Sequence, residues 1–148
     1  EDKDHNTLRT KYLDYNTKDS IAVFQRGGAM RDKDGQIIES ETGTYDSKAK
    51  LFTFKERVNM FTDSVFVMTN SLEYESEKNL ATFGYGTNAW QKDNMLSSEA
   101  GWYDRGIELF FFSNNQNRRF FNYVYCFRRN NLAPNTSPFE CIIGVFFI

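Results

Sequence analysis

The sequence is poor in the residues that most catalytic sites, metal sites and disulfide frameworks require. Its 148 residues include one histidine, two cysteines and two prolines. Because His5 has no second histidine to act with, the sequence argues against a histidine-based triad and against a multi-histidine metal site. No apolar run approaches the roughly 20 residues that cross a bilayer as a helix. We therefore expect no catalytic residues, no metal site and no cofactor.

The sequence also lacks an excess of positive or negative charge. The formal net charge is −2 and the isoelectric point is about 5.5, so the chain as a whole does not attract nucleic acid. The pairs Arg118-Arg119 and Arg128-Arg129 stand among aromatic residues near the end of the sequence. An anionic lipid headgroup matches them better than nucleic acid does, so we expect no nucleic-acid partner.

The sequence does contain a repeated pattern of aromatic and aliphatic residues. Four times a tyrosine is followed six residues later by Ile or Leu and nine residues later by Phe, and successive tyrosines lie 30, 29 and 29 residues apart. A fixed period of this kind indicates a tandem array of one supersecondary unit. The four copies are Tyr15/Ile21/Phe24, Tyr45/Leu51/Phe54, Tyr74/Leu80/Phe83 and Tyr103/Leu109/Phe112.

A longer period is superimposed on the first. The residue two positions before each tyrosine alternates between leucine and glycine, as Leu13, Gly43, Leu72 and Gly101. This alternation indicates a duplicated pair of units.

Each unit has the pattern of a β-hairpin. The five residues between the tyrosine and the aliphatic residue are rich in Asp, Asn, Ser and Gly, which favour turns. Asp46 and Asp104 begin two of these segments, and we expect them to cap the turns through their side chains rather than to act in catalysis. The flanking segments are rich in β-forming residues, so the chain is predicted to be all-β, with strands at 21–24, 51–54, 65–69, 80–83 and 109–112.

The alternation within these strands predicts one apolar face, because residues two apart in a strand point the same way. Four pairs share that face: Ala22 with Phe24, Phe52 with Phe54, Ala81 with Phe83, and Phe110 with Phe112. They form either the core between two packed sheets or the wall of an apolar cavity, and an open sandwich combines both roles.

Two further segments have simpler interpretations. Asp32-Lys-Asp-Gly35 has the start of a calcium loop but lacks its later ligands, so we predict a hairpin turn there.

The repeat ends near Asn115, which predicts a repeat domain over 1–115 and a separate segment over 116–148. That segment is either a cap, with 139–148 as a closing strand, or sequence foreign to the array. Cys126 and Cys141 are either one disulfide or two thiols.

The order Asp-Ser-Val, Leu-x-Tyr, Ala-x-Phe-Gly and Ser-x-x-Gly-x-Tyr-Asp, found at 63–65, 72–74, 81–84 and 98–104, carries a resemblance. In these motifs the chain resembles the OstA/LptA-like family of lipopolysaccharide transport proteins, particularly its OstA-like members of the Bacteroidetes type. The resemblance extends over roughly residues 7–115.

The resemblance implies an open, twisted β-jellyroll made of stacked, V-shaped hairpins. It also implies a periplasmic location, with a signal sequence removed, since residues 1–5 lack the order of a signal sequence. The family implies a non-enzymatic function, which is to hold the acyl chains of lipopolysaccharide in an apolar trough. Head-to-tail association with its own kind, or with other transport jellyrolls, would bridge the inner and outer membranes.

On this interpretation the trough wall consists of the aromatic residues of the repeat, two alanines that leave room between them, and two methionines that adapt to the chains. A rival interpretation is a structural or carbohydrate-binding β-repeat that acts through outward aromatics such as Trp90 and Trp102. The predicted lipid-binding residues are Phe24, Phe52, Phe54, Phe83, Phe110, Phe112, Ala22, Ala81, Met60 and Met68.

Overall fold

The computed structural model describes residues 5–114 and the strand Tyr123–Arg128. Every regular element in this part of the chain is a β-strand, which confirms the all-β prediction. The strands are β1 (Thr7–Thr10), β2 (Asp14–Asn16), β3 (Ile21–Phe24), β4 (Gly28–Arg31), β5 (Ile37–Ser40), β6 (Thr42–Asp46), β7 (Leu51–Phe61), β8 (Phe66–Glu75), β9 (Leu80–Phe83), β10 (Thr87–Gln91), β11 (Asn94–Ser98), β12 (Ala100–Asp104), β13 (Leu109–Asn114) and β14 (Tyr123–Arg128).

Two long strands organise the sheet. β7 has 11 residues and β8 has 10, and each pairs with different neighbours along its two halves. The first half of β7 pairs with β6 and its second half with β5, whereas β8 pairs first with β10 and then with β9. The sheet therefore divides into two limbs that share β7 and β8. The first limb runs β2-β3-β6-β7-β8-β9-β12-β13-β14, and the second runs β1-β4-β5-β7-β8-β10-β11.

A bend separates the two limbs. In β7 it falls at Glu56 and Arg57, which have positive φ angles of 64° and 51° and interrupt the register with β8. Such a bulge adds residues to one strand and turns the sheet away from its plane. Beyond the bend the buried faces of the two limbs contribute to one apolar core, so the limbs face each other.

The predicted hairpin turns are confirmed. The Asp46 Oδ1 atom accepts the backbone N–H of Lys48 and of Ala49, both at 2.9 Å. The Asp104 Oδ1 atom makes the equivalent bond to the N–H of Gly106 at 2.8 Å. Each of the four turns also ends in a residue with left-handed backbone directly before the aliphatic position. These residues are Ser20, Lys50, Asn79 and Glu108.

The alternation of leucine and glycine before the repeat tyrosines follows from packing space. Gly43 is buried, and a Cβ atom at this position would lie 2.5 Å from the carbonyl oxygen of Thr53 and 2.5 Å from the ring of Phe24. Gly101 likewise packs against the carbonyl of Phe111, whereas position 72 has room for a fully buried leucine. Glycine thus occurs before the tyrosine where the strand backbone lies directly against carbonyl or ring atoms of a neighbouring strand.

Replacing Gly43 by alanine is expected to lower the free energy of unfolding by about 1–3 kcal/mol, because the backbone of Thr53 cannot retreat from the added methyl group. Gly106→Ala is the matched control, since a Cβ there meets only the Asp104 Oδ1 atom, at 3.3 Å. Urea denaturation of both variants measures the difference. Equal stability of the two variants would contradict this account of the alternation.

The end of the array is only partly described. β14 pairs with β13 and extends the first limb, with Cys126 placed opposite Phe111. The proposed closing strand at 139–148 and the second cysteine, Cys141, lie outside the described residues. The domain boundary at residue 115 stays a prediction.

Candidate functional site

The structure brings most of the predicted lipid-binding residues together. Six phenylalanines and two alanines lie on the inner face of the first limb, and each is at most 5% exposed. Met60, which is fully buried, faces them from the second limb. The inward residues of the first limb are Ala22, Phe24, Phe52, Phe54, Ala81, Phe83, Phe110 and Phe112.

The rings form two groups along the first limb. Phe83 contacts Phe110 and Phe112 with ring centroids 6.2 and 5.8 Å apart. In the other group Phe54 lies 6.0 Å from Phe52 and 6.3 Å from Phe24. The repeat therefore lines the inner face of this limb with two groups of aromatic rings, which we call its aromatic wall.

The second limb supplies an aliphatic wall that sequence reasoning largely missed. Its inward residues are Met30, Ile38, Val58, Met60, Val65, Val67 and Ala89, all buried at 3% exposure or less. These strands lie outside the Tyr-Ile-Phe pattern. The alternation of Val65 with Val67 was the one local signal that could have identified part of the wall. We call the apolar interior between the two walls the trough.

Met68 is not brought into this group. Its side chain is 43% exposed and lies on the outer face of β8, opposite Asn59 and Asn88. The buried neighbours Val67 and Thr69 show that the opposite parity of this strand faces inward.

The two tryptophans also lie on the outer faces. Trp90 stacks on Phe66 at 5.3 Å, and Trp102 stacks on Phe111 at the same centroid distance. Each is half-buried against its neighbour. One face of each indole is thus already covered by a phenylalanine of the same sheet.

The turns of the two limbs approach each other at the open side of the trough, which we call the mouth. A cavity of about 350 Å³ lies there. Its floor consists of Val65, Tyr103 and Phe110, which also belong to the apolar core. Polar residues form its rim: Asp34, Gln36, Thr62, Asp63, Ser64, Gln91, Arg105 and Glu108.

Arg105 joins the limbs across the mouth. It extends from the turn between β12 and β13 to the turn between β4 and β5, where its guanidinium contacts the Oδ2 atom of Asp32 and lies 2.7 Å from the Oδ2 atom of Asp34. The Asp32 side chain is only 2% exposed, and its Oδ1 atom accepts the backbone N–H groups of Asp34 and Gln36. The segment at 32–35 therefore forms the predicted hairpin turn.

Burial lowers the pKa of Arg105, and the nearby carboxylate of Glu108 partly offsets this by raising it. An arginine starts so far above neutral pH that it stays protonated. The guanidinium of Arg105 is therefore charged at physiological pH.

Gln36 lies beside this link and is 4% exposed. Neither its amide oxygen nor its amide nitrogen has a hydrogen-bond partner in the part of the chain that the structure describes. Buried amides are nearly always paired, and leaving one unpaired costs stability. The Gln36 amide is thus an unsatisfied polar group on the wall of the mouth cavity.

Among residues 5–114, no three His, Cys, Asp or Glu side chains are grouped to hold a metal ion. A helix with the length and apolar character to cross a membrane is likewise missing from the segments that the structure describes.

Comparison with known proteins agrees with this architecture. The model of the family described as OstA-like protein matches residues 1–66. In this segment the chain is similar to the OstA-like family. The segment covers β1 to β7 and the first residue of β8, so the OstA-like match includes the bend and half of the duplicated array.

The chain also resembles a solved structure. This is the crystal structure of LptH, the LptA homologous periplasmic component of the conserved lipopolysaccharide transport device from Pseudomonas aeruginosa. The TM-score is 0.65 at 12% sequence identity, over 78% of this chain and 89% of LptH. At this identity the likeness establishes the fold, a β-jellyroll. No curated protein matches the sequence significantly.

Proposed function

We propose that the protein is a non-enzymatic periplasmic carrier of lipopolysaccharide, which holds the acyl chains in the trough between its two limbs. The OstA-like match and the fold shared with LptH support this assignment. The observation that carries it is the apolar core between the two limbs, which borders the mouth cavity at Val65, Tyr103 and Phe110.

The composition of the trough suits an acyl chain. Its core consists mainly of apolar and aromatic residues of the two limbs, and the buried hydroxyl groups of Thr69 and Thr87 are hydrogen-bonded to each other at 2.9 Å. Each methylene group moved there from water contributes roughly 0.8 kcal/mol. Because the predicted phenylalanines are at most 3% exposed and contact one another, we infer that an acyl chain enters by parting ring contacts as the limbs separate.

We further propose that the sheet ends join transport jellyrolls head to tail. Among the described residues, β1 and β2 each pair on one side only, as do β11 and β14 at the other end. Unpaired strand edges recruit further strands through backbone hydrogen bonds. A second copy, or another jellyroll of the same transport system, is the expected partner.

Neighbouring residues of β13 provide a direct test of the trough. Phe110 lies in the trough at 3% exposure, whereas Phe111 lies on the outer face against Trp102. We expect Phe110→Gln to weaken the binding of lipopolysaccharide by about tenfold or more, because it places an amide where the acyl chain packs. Fluorescence titration of the purified protein measures the affinity.

Phe111→Gln is the matched control, with the same substitution one residue away on the opposite face. It should leave the affinity within about twofold of the original value, since it touches no wall of the trough. Thermal melting establishes that both variants fold, and Phe110→Tyr, which adds a buried hydroxyl group to the same ring, replaces Phe110→Gln if the latter does not. Equal affinities in the folded variants would contradict the trough. Mass spectrometry of solvent extracts that detects no bound lipid would also contradict it.

A further inference from the structure

We propose that the mouth cavity binds the sugar hydroxyl groups of an amphiphile whose acyl chains lie in the trough. This inference rests on the proposed function and extends it to the head group. It assigns a role to the polar rim, which the apolar trough does not use. The ligand class is a glycolipid head presented through its sugar ring.

The first argument is the unsatisfied amide. Gln36 is 4% exposed and lines the cavity, and both polar atoms of its side chain lack partners among the described residues. An amide offers one acceptor and two donors, and burial without partners is costly. A ligand hydroxyl that both donates and accepts satisfies it in one step.

The second argument is the balance of donors and acceptors around the rim. Asp34, Asp63 and Glu108 only accept hydrogen bonds when ionised, whereas Thr62 and Ser64 can also donate. A matching ligand must therefore carry several donors together with acceptors. Sugar hydroxyl groups have this property.

The charge at the rim disfavours a phosphate. Three carboxylates line the cavity against one guanidinium, and that guanidinium already pairs with Asp32 and Asp34. A phosphate would meet repulsion from the negative charge of these carboxylates. A metal ion is the other ligand that carboxylates suggest, yet residues 5–114 contain no group of three metal-binding side chains.

The floor of the cavity connects the head group to the chain. Tyr103 and Phe110 stack at 4.0 Å between ring centroids and lie between the cavity and the core. A ligand with its ring over these aromatics has its chain directed into the trough. The cavity volume of about 350 Å³ lies within the range of small-ligand sites.

The test compares octyl glucoside with octyl phosphate, which share one chain and differ in the head group. Both are titrated by calorimetry below their micelle concentrations. We expect the protein to bind the glucoside about fivefold more tightly or better. Gln36→Leu should weaken glucoside binding by about tenfold and leave phosphate binding within about twofold.

Gln25→Leu is the matched control, because Gln25 is an exposed glutamine in the connection between β3 and β4, away from the mouth. It should change neither affinity. Thermal melting of Gln36→Leu should show equal or greater stability, since the substitution removes an unpaired buried amide. Gln36→Met repeats the measurement if the leucine variant does not fold.

The outcomes separate the two proposals. Binding of both probes with no preference, or with no effect of Gln36→Leu, overturns the sugar site and leaves the trough intact. Preferential loss of octyl phosphate binding also overturns it, in favour of an anion site. Failure of the unaltered protein to bind either probe overturns the trough and the sugar site together.

Discussion

Replacing Arg105 by methionine is expected to lower the free energy of unfolding by about 3–5 kcal/mol. The substitution keeps a long side chain in place but leaves the carboxylate of Asp32, 2% exposed, without its cationic partner. A buried charge without a partner is among the most destabilising changes in a protein. Urea denaturation monitored by circular dichroism measures the loss.

Arg57→Met is the matched control for this prediction. Arg57 pairs with Glu41 at 2.6 Å, but their side chains are 81% and 44% exposed. Its removal should cost at most about 1 kcal/mol, because water solvates both charges. Adding Asp32→Asn to the Arg105→Met variant should recover part of the lost stability, since the uncharged amide oxygen still accepts backbone N–H groups. Losses of equal size in the two single variants would show that the mouth link is not a buried ion pair.

Replacing Phe54 by alanine is expected to lower the free energy of unfolding by about 3–5 kcal/mol. Phe54 is fully buried and lies at the centre of its ring group, in contact with Phe24 and Phe52. Its removal forfeits the burial of the ring and opens a cavity that the surrounding rings fill only in part. Thermal and urea denaturation both report the loss.

Phe61→Ala tests the same substitution on the outer face. The Phe61 ring is 38% exposed and stacks on Phe66 with centroids 4.8 Å apart. The expected loss is about 0.5–1.5 kcal/mol, the value of one aromatic pair. If Phe54→Ala were no more destabilising than Phe61→Ala, the phenylalanines of the first limb would not form a packed interior.

The sequence was sufficient to predict the first limb, because that limb repeats. The tyrosine, aliphatic and phenylalanine positions recur in each hairpin, and the turns between them carry Asp46 and Asp104 at equivalent places. Because the local pattern occurs four times, its period and its inward face can be identified from the sequence. The strands Ile21–Phe24 and Leu80–Phe83 were accordingly predicted with their observed bounds.

The second limb and the mouth could not be derived from the repeat. Strands such as Gly28–Arg31 and Thr87–Gln91 mix polar with apolar residues and lack the repeated tyrosine. Arg105 contacts Asp32, which lies 73 positions earlier in the sequence. An arginine at this turn position occurs in one repeat unit only. Only the folding of one limb onto the other brings Arg105 and Asp32 together.

Met68 shows why residue type alone was insufficient. Methionine suits a deformable apolar wall, but the side of a strand on which it lies depends on parity. In β8 the buried residues are Val67 and Thr69 before the bend and Leu72 and Tyr74 after it. The parity changes within the strand, and no pattern in the sequence marks that change.

The bend also determines where the chain can gain or lose residues. The hairpin turn at Lys48 and Ala49 is exposed, so residues added there leave the strands undisturbed. Deleting a single residue at Glu56 or Arg57 is instead expected to move Val58 and Met60 to the outer, solvent-facing side of β7, because successive side chains of a strand alternate between its two faces. A one-residue deletion at the bend would therefore exchange the inner and outer faces of the second half of β7. A one-residue deletion in an exposed hairpin turn would leave the faces of the strands unchanged.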